Sequence, residues 1–134
     1  MKFSRIIFAF LLILLFSCEL EKSNPLDPDN GGEIPSRPII DNLLYNNEVN
    51  PNRIELYWED LNTAAGINIY RSLYLDGEYQ IIETYNAESE NFENRYFFDT
   101  NIYHGNTYYY KLSAFNEKGM EGRFSQIERI KIQW

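Results

Sequence analysis

A single cysteine, Cys18, and a single histidine, His104, are all that 134 residues contain of either type. One cysteine excludes an intramolecular disulfide. Together the two are too few for a zinc site within one chain, which takes several His or Cys ligands. Basic residues are also scarce: 12 Lys and Arg stand against 20 Asp and Glu, a formal net charge of −8. Nucleic-acid phosphates are neutralised by Lys and Arg, so this balance excludes nucleic acid as a partner. It equally excludes a polybasic grip on anionic lipid. No glycine-rich loop precedes a helix pattern, so a phosphate cradle is excluded. No apolar run reaches the roughly 20 residues of a membrane-spanning helix. Aromatic residues, by contrast, are plentiful, with 9 Phe, 11 Tyr and 2 Trp. They supply the bulk from which a domain without disulfides must build its core.

The N-terminus reads as an address. Lys2 and Arg5 precede an apolar run over residues 6–16, and Ser17 and Cys18 follow. That run has the length of a signal-peptide core. Leu15-Phe16-Ser17-Cys18 resembles the lipobox of bacterial lipoprotein signal peptides, with an aliphatic residue at −3, a small one at −1 and the required cysteine. Phe16 is bulky for −2, a tolerant position. The resemblance implies a signal peptide over residues 1–17, cleavage before Cys18, a diacylglycerol thioether on its sulfur and an acyl chain on the new N-terminus. Two or three chains hold a protein stably on a membrane where one does so marginally. The expected location is therefore the bacterial envelope, with the membrane engaged through the lipid on Cys18. Glu19 stands where an aspartate would favour inner-membrane retention, which points to the outer membrane.

Residues 18–36 carry that cysteine and a linker expected to be disordered. Asn24-Pro25-Leu26-Asp27-Pro28-Asp29-Asn30-Gly31-Gly32 offers turn residues and almost nothing to bury. Its aspartates do not make a calcium loop, because Gly31 and Pro38 stand where an EF-hand needs an oxygen ligand and a glutamate.

From Arg37 onward the pattern is all-β. A first strand opens at Arg37-Pro38-Ile39-Ile40. Ile54, Leu56 and Trp58 share one face of a second, and Ile67 and Ile69 point inward from a third over residues 66–71. Asp76-Gly77 marks a turn before a short strand over residues 79–83. Residues 86–94 read as irregular, residues 95–99 as a strand, and residues 124–134 as the last strand. The most regular stretch is Thr107-Tyr108-Tyr109-Tyr110-Lys111-Leu112-Ser113-Ala114-Phe115. Tyr108, Tyr110, Leu112 and Ala114 fall on one face; Tyr109, Lys111, Ser113 and Phe115 fall on the other. No helix is expected. About seven short strands with regular turns predict a two-sheet sandwich.

Residues 37–134 resemble a fibronectin type III domain, which has an immunoglobulin-like fold. Three stretches carry the likeness: Ile54-x-Leu56-x-Trp58, Gly66-Ile67-Asn68-Ile69-Tyr70-Arg71-Ser72, and Ile102-Tyr103-His104-Gly105-Asn106-Thr107-Tyr108-x-Tyr110-x-Leu112-x-Ala114. The resemblance implies that Tyr108 is a corner tyrosine, hydrogen-bonded back to the preceding loop. Tyr110 stands where an antibody domain has a cysteine, and the tryptophan lies on the second strand rather than the third. Both favour fibronectin type III over an immunoglobulin domain.

No nucleophile accompanies His104, and the many carboxylates carry no specific pairing, so an enzyme is not expected, nor are a cofactor, a metal or catalytic residues. Binding is the open question. The resemblance implies that the tether enters at the pole of residues 59–65 and 116–122. The opposite pole would then present Leu73, Tyr74, Leu75, Tyr103 and His104. A second candidate surface is the outer face of the third and sixth strands, with Tyr70, Tyr109 and Lys111. Loop packing and cross-strand pairing would account for the same residues without a ligand. The functional expectation is a monomeric, lipid-anchored envelope module that binds a protein or acts as a spacer, with glycan binding through exposed tyrosines as the alternative.

Overall fold

A computed structural model of the chain describes residues 33–133. The expected signal peptide, Cys18, most of the expected linker and Trp134 lie outside the described residues. Among the described residues seven strands and one helical turn follow in order: β1 Ile40–Asn46, β2 Arg53–Trp58, β3 Gly66–Ser72, β4 Gln80–Asn86, α1 Glu90–Glu93, β5 Tyr96–Asp99, β6 Thr107–Phe115 and β7 Glu128–Lys131. They form two antiparallel sheets, β1-β2-β5 and β4-β3-β6-β7. The expected two-sheet sandwich is what the chain forms.

Period-two alternation explains the core. Ile54, Leu56 and Trp58 from one sheet meet Ile67, Ile69, Tyr108, Tyr110, Leu112 and Ala114 from the other, and all are buried. Apolar burial of this kind is the main stabilising term. Ile132 closes the core beyond the end of β7. Trp58 stacks on Tyr85 at 6.4 Å between ring centroids. Gly66 is required by close approach: a Cβ there would lie 2.5 Å from Tyr85 O and would run into the Phe115 ring.

Three local expectations are corrected. Residues 86–94 are not wholly irregular, because Glu90–Glu93 is one helical turn. Ser89 caps it, its Oγ accepting from the Phe92 N–H at 3.1 Å, and Glu90 and Glu93 supply negative charge in the first turn. A single turn is too short to show helical periodicity. The last strand is shorter than residues 124–134. Ser125 Oγ accepts the Leu112 N–H at 2.9 Å and Ser125 N–H donates to Leu112 O at 2.8 Å, so this pairing stays outside the regular ladder. β4 is longer than expected and runs through Asn86, with a register shift between Ile69 and Tyr70 on the partner strand.

The chain enters at the pole of residues 59–65 and 116–122. Glu59 N–H donates to Ile39 O at 3.0 Å, and Asn116 Nδ2 donates to Glu33 O at 3.2 Å. Pro35 is buried against Gly122. Residues 33–36, assigned to the linker from composition, therefore dock on the domain. The opposite pole gathers residues 47–52, 73–79 and 100–106, the connections after β1, β3 and β5.

Candidate functional site at the distal pole and the adjoining sheet face

The turn after β3 is built to present its tip. Tyr74 N–H donates to Ser72 Oγ at 3.1 Å, Gly77 N–H to Tyr74 O at 3.2 Å, and the Tyr79 hydroxyl to Leu75 O at 3.1 Å. With the backbone closed on itself, Leu73, Tyr74 and Leu75 point into solvent, and Tyr74 is 72% exposed. The turn before β6 is fastened in the same way. Tyr103 N–H donates to Tyr108 Oη at 2.8 Å, the corner bond expected from the resemblance. Gly105, at φ 85°, takes the left-handed conformation that favours glycine, and its N–H reaches Ile132 O at 3.0 Å. Tyr103 is left 68% exposed, while the exposed His104 sets its ring edge-on to Tyr45 at 6.2 Å.

The outer face of the four-stranded sheet is more covered than alternation suggested. Tyr70 does lie on that face, but it is only 9% exposed, so it is not itself a contact surface. Phe124 stands edge-on to it at 5.2 Å, and the Tyr70 hydroxyl donates to Glu121 Oε1 at 2.6 Å. Burial and that bond push the Tyr70 phenol up to about 12. The same Glu121 oxygen accepts from Ser113 Oγ at 2.7 Å and from Asn68 Nδ2. Burial raises the Glu121 carboxyl, but these hydrogen bonds and nearby Lys111 outweigh it and hold the group below its ordinary value. Lys111 is ringed by aromatics: its Nζ lies 3.9 Å from the Phe124 centroid, 4.5 Å from Tyr79 and 5.6 Å from Tyr70. Tyr109 is half-buried beside it. Tyr79 therefore joins the pole to this face, its hydroxyl on the distal turn and its ring on Lys111.

Sequence reasoning missed two groups. Glu121 was not singled out, since a lone glutamate in a turn carries no pattern. A small cleft at the distal pole, lined by Tyr45, Asn50, Asn52, Thr100, Ile102 and His104, was also missed. Its walls are about fifty positions apart in the chain and are brought together by the β1–β2 and β2–β5 pairings. Among the described residues no cluster of three or more His, Cys, Asp or Glu side chains could hold a metal ion.

No family model matches the chain. It is 31% identical over 97 residues to an amylopullulanase of Thermoanaerobacterium saccharolyticum, a stretch covering 72% of this chain but 7% of that protein. An Fn3-like protein from Clostridium thermocellum superposes with a TM-score of 0.57 at 26% identity, covering 75% of this chain and 95% of the other. The FN1–FN3 domains of chicken CNTN1 superpose with a TM-score of 0.53 at 15% identity, over 75% of this chain and 33% of the other. With the 3 + 4 strand sandwich and the Tyr108 corner bond, these likenesses identify the described part of the chain as a fibronectin type III-like domain.

Proposed function

We propose that this protein is a non-catalytic accessory module of the bacterial envelope, lipid-anchored at Cys18, that engages polysaccharide through the pole farthest from its tether. The observation that carries the reading is the pair Tyr74 and Tyr103, 72% and 68% exposed on turns whose backbones are pinned by hydrogen bonds. Solvent-facing aromatic rings suit stacking against sugar rings, and carrying them on turns whose backbone is already ordered lowers the entropic cost of binding. The likeness to a segment of an amylopullulanase supports a carbohydrate-associated setting. The lipobox-like Leu15-Phe16-Ser17-Cys18 supports the anchor, and entry of the chain at the opposite pole would direct these tyrosines away from the membrane.

A second reading, docking or spacing between proteins, is favoured by Leu73 and Leu75, which flank Tyr74 and make its tip more apolar than a sugar platform requires. A glycan array probed with the full-length protein in detergent micelles separates the two. Binding to defined glycans is expected. Absence of any glycan signal, with a protein recovered by crosslinking through residues 73–75, would leave the second reading alone. For the anchor, Cys18→Ala should abolish metabolic lipid labelling; labelling that persists would refute it.

A further inference from the structure

The clefts on the domain differ in the charge of their linings. One is lined by Asp41, Glu59, Asp60 and Arg95 among others, one includes Glu88 and Glu117, and one includes Asp60 and Glu93. The distal-pole cleft, about 300 Å³, contains no Asp, Glu, Lys or Arg. In a chain where 24% of residues are charged and the net charge is −8, a lining without these four residue types sets this cleft apart from the three above.

What lines it instead is hydrogen-bonding, aromatic and aliphatic, the last from Pro51, Ile102 and Ile132. Asn50 and Asn52 carry amides, Thr100 a hydroxyl, and Tyr45 and His104 rings. Amides and hydroxyls both donate and accept, the pattern that matches a sugar's hydroxyls. Ile102 and Ile132 in the lining give apolar surface for its C–H groups. The walls are held in place: Asn52 Nδ2 donates to Tyr45 Oη at 3.0 Å, and Tyr45 meets His104 at 6.2 Å. The turn carrying His104 is fastened by Tyr103 N–H on Tyr108 Oη at 2.8 Å and by Gly105 N–H on Ile132 O at 3.0 Å. The volume falls at the small end of ligand sites, which suits a sugar unit rather than a large cofactor.

We infer that this cleft between residues 45–52 and 100–104 is a binding subsite for one unit of a neutral glycan, with Asn50, Thr100 and His104 as its polar contacts. The inference rests on the polysaccharide reading above and gives it a substrate class: uncharged sugars, not uronic acids. The exposed ring of Tyr103, in the same turn as His104, would then extend the contact along the glycan chain.

The test is calorimetric titration of full-length protein in detergent micelles with maltohexaose, laminarihexaose and hexagalacturonate. A neutral hexasaccharide should bind and hexagalacturonate should not. Thr100→Ala and His104→Ala should each weaken that binding by roughly tenfold, the effect of losing one direct hydrogen bond. Glu117→Gln, in another cleft, should leave it unchanged. Melting temperatures identify any variant that fails to fold, and Asn50→Ala then takes its place. Sugar binding that survives Thr100→Ala and His104→Ala but falls with Tyr74→Ser would overturn the cleft while leaving the polysaccharide reading intact. Hexagalacturonate binding as tightly as the neutral sugars would overturn the neutral class. No binding to these sugars or to any glycan on the array would remove both.

Discussion

Tyr110 donates its hydroxyl to Asp99 Oδ2 at 2.7 Å, and so ties β6 of one sheet to β5 of the other. Arg71 on β3 reaches the same oxygen at 2.5 Å and the carbonyl of Asn101 at 3.0 Å. Asp99 Oδ1 accepts the Asn101 N–H at 3.0 Å. The result is a polar clamp between sheets, at the strand position where an antibody domain places a disulfide cysteine. Burial, then the Asp99 charge, push the Tyr110 phenol far above its ordinary range, so it remains a donor throughout the physiological range.

The clamp predicts an asymmetric response to mutation. Tyr110→Phe keeps the ring and removes one donor, and should cost about 1–3 kcal/mol. Asp99→Ala strands the half-buried Arg71 and the buried Tyr110 hydroxyl together, and should cost about 3 kcal/mol or more. Because both changes act on one network, the double variant should be less destabilised than the sum of the two. Urea unfolding followed by tryptophan fluorescence measures all three; additive effects would show that the groups act independently.

The corner tyrosine predicts a local effect. Tyr108→Phe removes the acceptor for the Tyr103 N–H at 2.8 Å and a weaker one for Asn106 Nδ2 at 3.4 Å. Stability should fall by about 1 kcal/mol. The turn over residues 103–106 should also lose protection in hydrogen exchange, while β2 and β3 keep theirs. Uniform loss across the domain would contradict a local role.

These bonds mark the boundary of what is legible in the chain. β2, β3 and β6 could be read because apolar residues on each recur at every second position toward the core, so period-two alternation appears in the residues themselves. The corner at Tyr108 was legible only through the resemblance of residues 102–114 to the fibronectin type III pattern. The clamp was not, since Arg71, Asp99 and Tyr110 come from three strands and no local pattern joins them. Tyr70 shows the limit most sharply. Alternation assigns it correctly to the outer face but cannot show that Phe124 and Lys111, on other elements, cover it. The distal cleft failed for the same reason: its lining residues become neighbours only after β1, β2 and β5 pair.

The Glu121 hub predicts pH dependence at both ends of the scale. Its carboxyl is held below the ordinary 4.5 in the folded state, so its contribution is present above that value and is lost as pH falls through the lower, folded value. Tyr70 works oppositely. Raised from 10 to about 12, it keeps its proton in the folded state while the unfolded chain gives it up, so stability declines as pH rises from 10 to about 12. Tyr85, raised by burial to about 12, adds to the alkaline loss. Glu121→Gln should remove part of the acid dependence, and Tyr70→Phe should flatten part of the alkaline limb. Thermal melts from pH 3 to pH 12 would show both; unchanged limbs would mean that other groups control them.

Exposure separates Tyr74 and Tyr103 from all of these. Tyr74 and Tyr103 are 72% and 68% exposed, so little of their rings is withdrawn from water on folding. Tyr74→Ser should shift stability within about 0.5 kcal/mol, the usual range for a surface change. Tyr103→Ser should do the same, because the backbone N–H, not the side chain, bonds Tyr108. If the distal pole is the binding end, the double variant should lose capture of glycan by roughly tenfold or more while its melting curve overlays that of the parent. A stacked aromatic ring contributes about that much. Capture that persists unchanged would move the search to the sheet face, where Tyr79, Tyr109 and Lys111 form the adjoining surface. Lys111→Ala would then be the decisive change: it opens the ring of Tyr70, Tyr79 and Phe124 and should alter binding there, reaching the turn of residues 73–79 only through Tyr79.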